Sequence, residues 1–380
     1  MTLARKAAAG LAQVVALGSL AGGTGAQANA PGPASVPTES TETAARWRLT
    51  LRSDRHSDSL PLALLGQNTG SALEPRRGLN LAYLDDQIGI ERRIGPWTLG
   101  LLARSYATVV ASEDALRLAL QSAAGQGPAQ DTRWQAGAHY RGLSGAGVSA
   151  RWQSMVNPAL TVALSGQWLA LGHWRDQRVN GQVGFNAQAA SYSLNLVSDR
   201  IDDRLSFPYQ TSQASHGSAL LLGAQATWRA AGWLAEVNLR DGGWLHWRAI
   251  PRQQLSLVSD RQIVDADGFV VYGPLIEGRN SQTLSTQRWP WRTRLTLGRE
   301  MHDGHQLMAS ADHLPGFGWL PAVQWQRRLG LVDLAVEWRI HERRFGTSVA
   351  FQGLSLCVGA DRLGAQSRSR EFQLTWNSGF

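Results

Sequence analysis

Arginine recurs at every second position in several short segments of this sequence, and this spacing is its main chemical signal. Side chains two residues apart in an extended strand point to the same face, so these arginines would form positively charged rows. A pore lined by arginine favours anions. We therefore predict a lumen that attracts anionic solutes, with the solute-facing residues Arg46, Arg48, Arg52, Arg292, Arg294 and Arg339.

A second interpretation of the same rows stays open. In other segments, acidic residues occupy polar positions that alternate with apolar ones, among them Glu236, Asp333 and Glu337. If such acids pair with the arginines across the interior, the rows fill a narrow barrel and no solute passes. Both interpretations keep arginine away from lipid, because an arginine on the lipid face at the bilayer midplane costs about 2–4 kcal/mol.

Other groups of reactive residues give weaker signals. His216 and Ser218, with two aspartates upstream, could form a hydrolase site, yet no lipase motif surrounds them. Asp265-Ala266-Asp267-Gly268 lacks the remaining ligands of a calcium loop. Cys357 is the only cysteine, which excludes disulfides and cysteine-clustered metal sites. We therefore expect no catalytic site, no metal and no cofactor, with a hydrolase as the alternative.

The elements that would position the arginines are strands with two different faces. Apolar residues alternate with polar ones over runs of about nine to eleven residues, the length of a tilted strand that crosses a bilayer. The clearest apolar phase is Val332, Leu334, Val336, Trp338 and Ile340. Aromatic rings at the ends of such phases are typical of a girdle at headgroup level. The predicted interface residues are Trp47, Tyr140, Trp168, Trp228, Trp233, Trp291 and Trp338.

Short glycine-containing links between the runs, such as Ile94-Gly95-Pro96-Trp97, predict hairpins. Counting the runs gives an all-β fold, a closed antiparallel transmembrane barrel of roughly fourteen to eighteen strands, with sixteen favoured. Three segments break the alternation. Residues 112–123 have the cap and composition of a helix. All three segments, 112–123, 199–217 and 259–288, are predicted to be longer connections at the outer end.

The last residues of the sequence alternate as well, with apolar side chains at Phe372, Leu374 and Trp376 and a terminal Phe380. This stretch resembles the closing strand of bacterial outer-membrane β-barrels. The resemblance implies that these four residues form an assembly signal read by the outer-membrane assembly machinery. It also implies that outer-membrane lipids surround the barrel, in the outer membrane of a Gram-negative bacterium.

The start of the sequence predicts export. Residues 1–30 begin with Arg5 and Lys6, continue with an apolar run and end in small residues before a cleavage site at Ala30, as in a signal peptide. Residues 31–45 are rich in Pro, Ser and Thr and are predicted to be a flexible mature N-terminus. The barrel itself is predicted to cover 46–380.

These features together predict an integral outer-membrane barrel, either a porin-like channel or a transport-associated barrel with an arginine-rich lumen. The formal net charge of +8 suits anionic headgroups or anionic solutes rather than nucleic acid. Three alternatives stay open. They are a barrel enzyme that modifies outer-membrane lipid, a structural or assembly barrel with a plugged lumen, and a soluble periplasmic all-β protein, whose strands would show the same alternation.

Overall fold

The computed structural model describes residues 47–65, 72–124, 127–207, 216–259, 262–264, 270–272 and 276–378. The predicted signal peptide, the predicted flexible N-terminus, Arg46, residues 265–268 and Phe380 lie outside these ranges. Within them, no helix combines the length and the apolar character needed to span a membrane.

The first part of the chain forms long strands and one α-helix. The strands are β1 (Trp47–Ser57), β2 (Leu79–Ile94), β3 (Trp97–Ser112), β4 (Thr132–Asn157), β5 (Leu160–Asn186), β6 (Ser191–Asp202), β7 (His216–Ala230) and β8 (Trp233–Val258). The helix α1 (Glu113–Ala124) connects β3 to β4. It matches the helix predicted over 112–123, and the N–H of Ala115 donates to the capping Oγ of Ser112 at 3.2 Å.

The second part begins with a separate small hairpin and continues with shorter strands. The hairpin consists of β9 (Gln262–Val264) and β10 (Val270–Tyr272). The strands are β11 (Ile276–Trp289), β12 (Arg292–Glu300), β13 (His305–Leu314), β14 (Gly318–Leu329), β15 (Val332–Arg339), β16 (Arg344–Phe351), β17 (Leu354–Ala360) and β18 (Ser369–Asn377). The region predicted as a long connection over 259–288 therefore contains β11, which pairs along β8.

The sheet closes into an antiparallel barrel because β18 pairs with β1. Between β5 and β8, the strands β6 and β7 lie end to end, and β11 and β12 follow each other along β8. Among the described residues, the sixteen strands of the sheet thus occupy fourteen positions around the barrel. The predicted fold class is confirmed, and the favoured count of sixteen is close to the fourteen positions.

The outward face of the wall is apolar and carries two rings of exposed aromatic side chains. The lower end of the barrel has the short turns, and its ring consists of Trp47, Trp97, Trp228, Trp233 and Trp376. The ring nearer the upper end consists of Trp168, Trp244, Trp319, Trp338 and Phe345. Trp244 follows Trp233 by eleven positions along β8. At a tilt of roughly 45°, eleven positions correspond to a height of about 25 Å. This is the height of the apolar band of an outer-membrane barrel.

The wall is much taller on one side than on the other. Strands β4, β5 and β8 have 26, 27 and 26 residues, whereas β15, β16 and β17 have 8, 8 and 7. On the tall side, α1 packs its buried Leu116 and Leu118 against Trp134 and Val183 of the extended strands. This packing covers a sheet face that would otherwise be apolar and exposed.

Candidate functional site

The predicted lumen arginines that the structure describes all lie on inward-facing positions. Arg48 and Arg52 alternate with the outward Trp47 and Leu49 along β1, and Arg292 and Arg294 alternate with the outward Leu295 and Leu297 along β12. Arg339 follows the outward Trp338 on β15. Arg48 lies near the lower end, where its Nε donates to Oδ1 of Asn377 at 3.0 Å. The other four arginines each pair with acids deeper in the lumen.

One group of ion pairs joins opposite walls of the barrel. Arg104 on β3 contacts Asp241 on β8 at 2.5 Å and Asp85 on β2 at 3.2 Å. Arg292 on β12 contacts Asp85 at 2.9 Å and also pairs with Asp241. Arg52 completes the group at 3.4 Å from Asp85. Because β4, β5 and β7 separate β3 from β8 around the wall, the bond from Arg104 to Asp241 crosses the lumen.

A second group of ion pairs fills the lumen beneath the short strands. Arg344 of β16 contacts Asp54 of β1 at 2.8 Å and Glu371 of β18 at 2.7 Å. Arg339 of β15 contacts Glu337 at 3.2 Å and the same Asp54 at 3.4 Å. The strands β16, β17 and β18 lie between β15 and β1, so this second contact also crosses the interior.

A β-bulge places two consecutive residues of β8 in these groups. The register of β7 and β8 shifts between Leu222 and Ala224, and Asp241 has a positive φ of 65°. Arg240 and Asp241 therefore both reach the lumen, where Arg240 pairs with Asp312 at 3.0 Å. A non-glycine residue in this conformation is strained. The strain is offset by the two guanidinium groups that Asp241 binds.

Within the described residues, the two groups together contain as many acids as arginines. The arginines are Arg52, Arg104, Arg240, Arg292, Arg294, Arg339 and Arg344. The acids are Asp54, Asp85, Asp241, Asp312, Glu337, Glu342 and Glu371. Seven positive and seven negative charges cancel, and we call this set the ionic layer. Removing such charges from water is costly unless each one has a partner, and here each one does.

The other part of the lumen is filled by apolar side chains. Inward positions of β3 to β8 and of β11 form one buried cluster, in which Trp174, Leu169 and Leu245 are fully buried. Tyr106 lies at the border of this apolar cluster and the ionic layer. The guanidinium of Arg292 lies 4.5 Å from the centre of its ring, a cation–π contact. Of the described arginines predicted to face solute, Arg52, Arg292, Arg294 and Arg339 therefore face acids, and Arg292 also faces an aromatic ring.

The predicted interface aromatics divide into three kinds of position. Trp47, Trp168, Trp228, Trp233 and Trp338 are exposed on the outward face. Trp291 lies between β11 and β12, and its ring packs on Gly242, where a Cβ would lie 2.0 Å from the ring.

Tyr140 does not fit the predicted interface position. It is 2% exposed, packs with Ala82, Ala107 and Val109, and has the guanidinium of Arg175 at 4.7 Å from its ring centre. It lies on the tall extension of β4, where other residues cover the outward face. Phe372, Leu374 and Trp376, predicted as part of an assembly signal, share the outward face of β18, which closes the barrel.

The predicted hydrolase alternative does not assemble the expected residues. Asp203 binds the Nδ1 of His173 at 2.5 Å and accepts the N–H of Trp174 at 3.0 Å. His216 instead begins β7, where its register partner is Arg248 of β8. One of the two aspartates upstream of the candidate base therefore binds a different histidine.

A compact cluster at the upper end was missed by the sequence analysis. Nε2 of His56 and Nε2 of His341 each lie 3.1 Å from Oδ1 of Asp58. Arg76 contacts the same Oδ1 at 2.5 Å, and the N–H of Leu81 donates to Oδ2 at 2.8 Å. Burial raises the pKa of Asp58. The hydrogen bonds and charges of the two histidines lower it by more than burial raises it, so the pKa lies well below its ordinary value.

Beside this cluster is a polar cavity of about 400 Å³. Arg76 and Glu342 line it together with Arg343 and Arg368. The cavity and the cluster share Arg76, so a solute in the cavity would lie next to the cluster.

The chain was compared with known proteins. No protein-family model and no curated protein matches it. Among solved structures it is similar to the outer membrane protease OmpT from Escherichia coli, at 9% identity over 88% of this chain and 92% of that chain, with a TM-score of 0.22. It is also similar to the toluene transporter TbuX of Ralstonia pickettii, at 9% identity over 90% of each chain, with a TM-score of 0.27. A third similar structure is the β domain of the Bordetella autotransporter BrkA, at 10% identity over 89% of this chain and 100% of that chain, with a TM-score of 0.20.

The architecture of the chain is that of bacterial outer-membrane β-barrels. This statement follows from the structure itself, which has a closed antiparallel barrel, an apolar exterior, two aromatic rings and a polar interior.

Proposed function

We propose that the protein is an integral outer-membrane barrel whose lumen is closed at rest, in place of the open anion-selective pore that the sequence favoured. The observation that carries this proposal is the ionic layer. Arginines from opposite walls meet acids inside the barrel, and those that cross the lumen are almost completely buried. A pore that selects anions needs arginines directed at water.

The two aromatic rings support the membrane location. Their separation of about 25 Å fits the apolar band of an outer-membrane barrel, with tryptophan at headgroup level on both sides. We propose that outer-membrane lipids contact this band, that the assembly machinery recognises β18, and that the upper end, with its long extensions, faces outward. Such a barrel is a transport-associated protein that opens only when triggered, or a platform for a site at its upper end.

The test is electrical recording from the refolded full chain in planar bilayers. We expect wild-type protein to insert without conductance steps. The variant with Asp85, Arg104, Asp241 and Arg292 all changed to Ser should conduct, because it removes both signs of the cross-lumen bonds and leaves a gap. Arg48→Ser, which removes an arginine outside the ionic layer, is the matched control and should stay silent.

Folding of each variant is checked by the mobility difference between unheated and boiled samples on detergent gels. Open steps of wild-type protein with a preference for anions, reduced by changing Arg292 and Arg294 to Ser, would overturn the closed-lumen proposal and restore the porin-like one.

A second candidate function is a barrel enzyme that acts at the outer surface. The observation in its favour is the His56–Asp58–His341 cluster next to a polar cavity. A fluorogenic ester or phosphoester screen on intact cells, with wild type against His341→Ala, tests this candidate. Equal turnover by both proteins would exclude this cluster as the site.

A further inference from the structure

We propose that His56, Asp58 and His341 form a binding site for a divalent transition metal of the zinc type at the upper end of the barrel. The first ground is geometric. Both Nε2 atoms lie 3.1 Å from Oδ1 of Asp58, and all three atoms lie within 4.8 Å of one another. A tetrahedral zinc ion about 2.0–2.1 Å from its ligands holds neighbouring ligand atoms about 3.3 Å apart. The three atoms are therefore already near three corners of such a site.

The second ground is the chemistry of the ligands. Two imidazole nitrogens and one carboxylate oxygen suit zinc, cobalt or nickel, whereas calcium and magnesium prefer oxygen alone. Three protein ligands leave a fourth position for water or substrate, as in catalytic zinc sites. The cavity lined by Arg76 lies at the same end of the barrel.

The third ground is the crowding around one oxygen. Three nitrogen atoms, from His56, His341 and Arg76, converge on Oδ1 of Asp58. Nε2 of His341 lies equally close, at 3.1 Å, to Oδ2, so without an ion both imidazoles must present Nε2 protons to this one carboxylate. With an ion, both Nε2 lone pairs bind the metal and the oxygen becomes the third ligand. Arg76 and the N–H of Leu81 then act as outer partners that orient the carboxylate.

The fold gives the site rigidity and an entry path. His56 is the second-last residue of β1 and Asp58 directly follows the strand. His341 lies in the connection from β15 to β16, 283 residues from Asp58. His56 and Asp58 are fully buried, but the side chain of His341 is 25% exposed. A metal ion would thus enter past His341 and would fasten the connection between β15 and β16 to the end of β1.

One feature limits the affinity. Nδ1 of His56 has no hydrogen-bond partner, although metal-binding imidazoles ordinarily donate this N–H to an acceptor, and losing such a partner costs about 10–100-fold in affinity. We therefore expect exchangeable binding rather than permanent retention.

The test uses the refolded full chain in detergent and the metal alone. Zn²⁺ is titrated calorimetrically, and Co²⁺ is added to look for the visible absorption bands of a tetrahedral site. Wild type should bind one ion with these bands. His341→Ala should bind more than about 100-fold more weakly, a larger loss than that of an outer partner, and His341→Asp should recover part of the affinity. His313→Ala, a histidine change on β13 at the same end, is the control and should bind like wild type.

His173, Asp202 and Asp203 form a second group of potential ligands, and the ion could bind there instead. Loss of binding in His173→Ala together with full binding in His341→Ala would overturn the assignment, as would equal binding by wild type and His341→Ala. None of these outcomes depends on whether the lumen conducts, so failure here and failure of the closed-lumen proposal are distinguishable.

Discussion

The two halves of the barrel interior are filled by opposite means. Between β3 and β8, apolar side chains such as Leu169, Leu245 and Trp174 pack together. The rest of the interior is filled by the ionic layer, which lies beneath the short strands and extends across the lumen to β2, β3 and β8. Apolar packing is nondirectional and tolerates small shifts, whereas each buried charge needs its own partner. The ionic half should therefore respond to the loss of a charged partner whatever its volume, while the apolar half should respond in proportion to the volume removed.

The largest effect should come from Arg292→Ala. It leaves the buried Asp85 and Asp241 with one partner fewer each, and breaking a buried pair costs about 3–5 kcal/mol. Urea unfolding of the barrel in lipid vesicles, followed by tryptophan fluorescence, measures the loss. If Arg292→Ala lowered the free energy of unfolding as little as Arg48→Ser does, the distinction between buried arginines and an arginine near the lower end would be contradicted.

Leu245→Ala is the corresponding change in the apolar half. Leu245 is fully buried, and such truncations cost about 2–5 kcal/mol according to the cavity left. Leu245→Met, which nearly conserves volume, should cost less than about 1.5 kcal/mol. The same unfolding measurement applies, and equal losses for Ala and Met would show that this cluster is loosely packed.

A smaller effect should follow when both members of one pair are replaced together. Arg240 and Asp312 contact each other at 3.0 Å, and replacing a buried pair by apolar residues is often neutral or stabilising. We expect Arg240→Met with Asp312→Leu to unfold within about 1 kcal/mol of wild type, since Arg294 keeps its contact with Glu337. Each single change should cost more than the double change, and additive costs would argue against coupling.

The smallest effect concerns acid sensitivity outside the membrane. Asp361, in the connection from β17 to β18, accepts the N–H groups of Arg368 and Ser369 and the hydroxyl of Ser367. Burial raises the pKa of Asp361, but these hydrogen bonds lower it by more than burial raises it, so the pKa lies below its ordinary value. The stabilisation is present above the ordinary pKa of about 3.9 and is lost as the pH falls through the lowered value.

Hydrogen exchange of the N–H groups of Arg368 and Ser369 should therefore accelerate only in acid. Asp361→Asn should exchange faster at neutral pH and lose this pH dependence. Unchanged protection in the variant would show that the loop is held by other contacts.

The alternation of polar and apolar residues predicted the two-faced strands, and the positions of the aromatic residues and the resemblance of the last strand favoured a barrel over a soluble all-β fold. One face of each strand must be apolar because it meets lipid, whatever the other face does, and this constraint is local in sequence. The strand count was less accurate because two pairs of strands, β6 with β7 and β11 with β12, each share one position around the barrel. Tyr140 was misplaced because the same alternation continues above the membrane, where neighbouring residues cover it.

The partners of the arginines were only partly predictable. Asp54 lies in phase with Arg48 and Arg52, so the sequence pattern alone could have placed this acid in the lumen. Arg292 and Asp85, in contrast, are 207 residues apart and meet only because the barrel cross-section brings β12 opposite β2. Asp241 reaches the lumen through a bulge that no pattern announces. The histidine cluster likewise depends on closure of β1 against the end of β15.

The unequal height of the wall also affects the surrounding bilayer. A strand of seven residues such as β17, tilted by roughly 45°, covers about 16 Å of height, which is less than the height of about 25 Å between Trp233 and Trp244 on β8. Lipid tails next to the short side are longer than the wall they meet, so the barrel must lean or the leaflets must compress there, at a cost of fractions of a kcal/mol per Å. In the proposed membrane location, the barrel would therefore have a fixed direction in the membrane plane, with a locally thinned bilayer beside the stacked rings of Trp338 and Phe345.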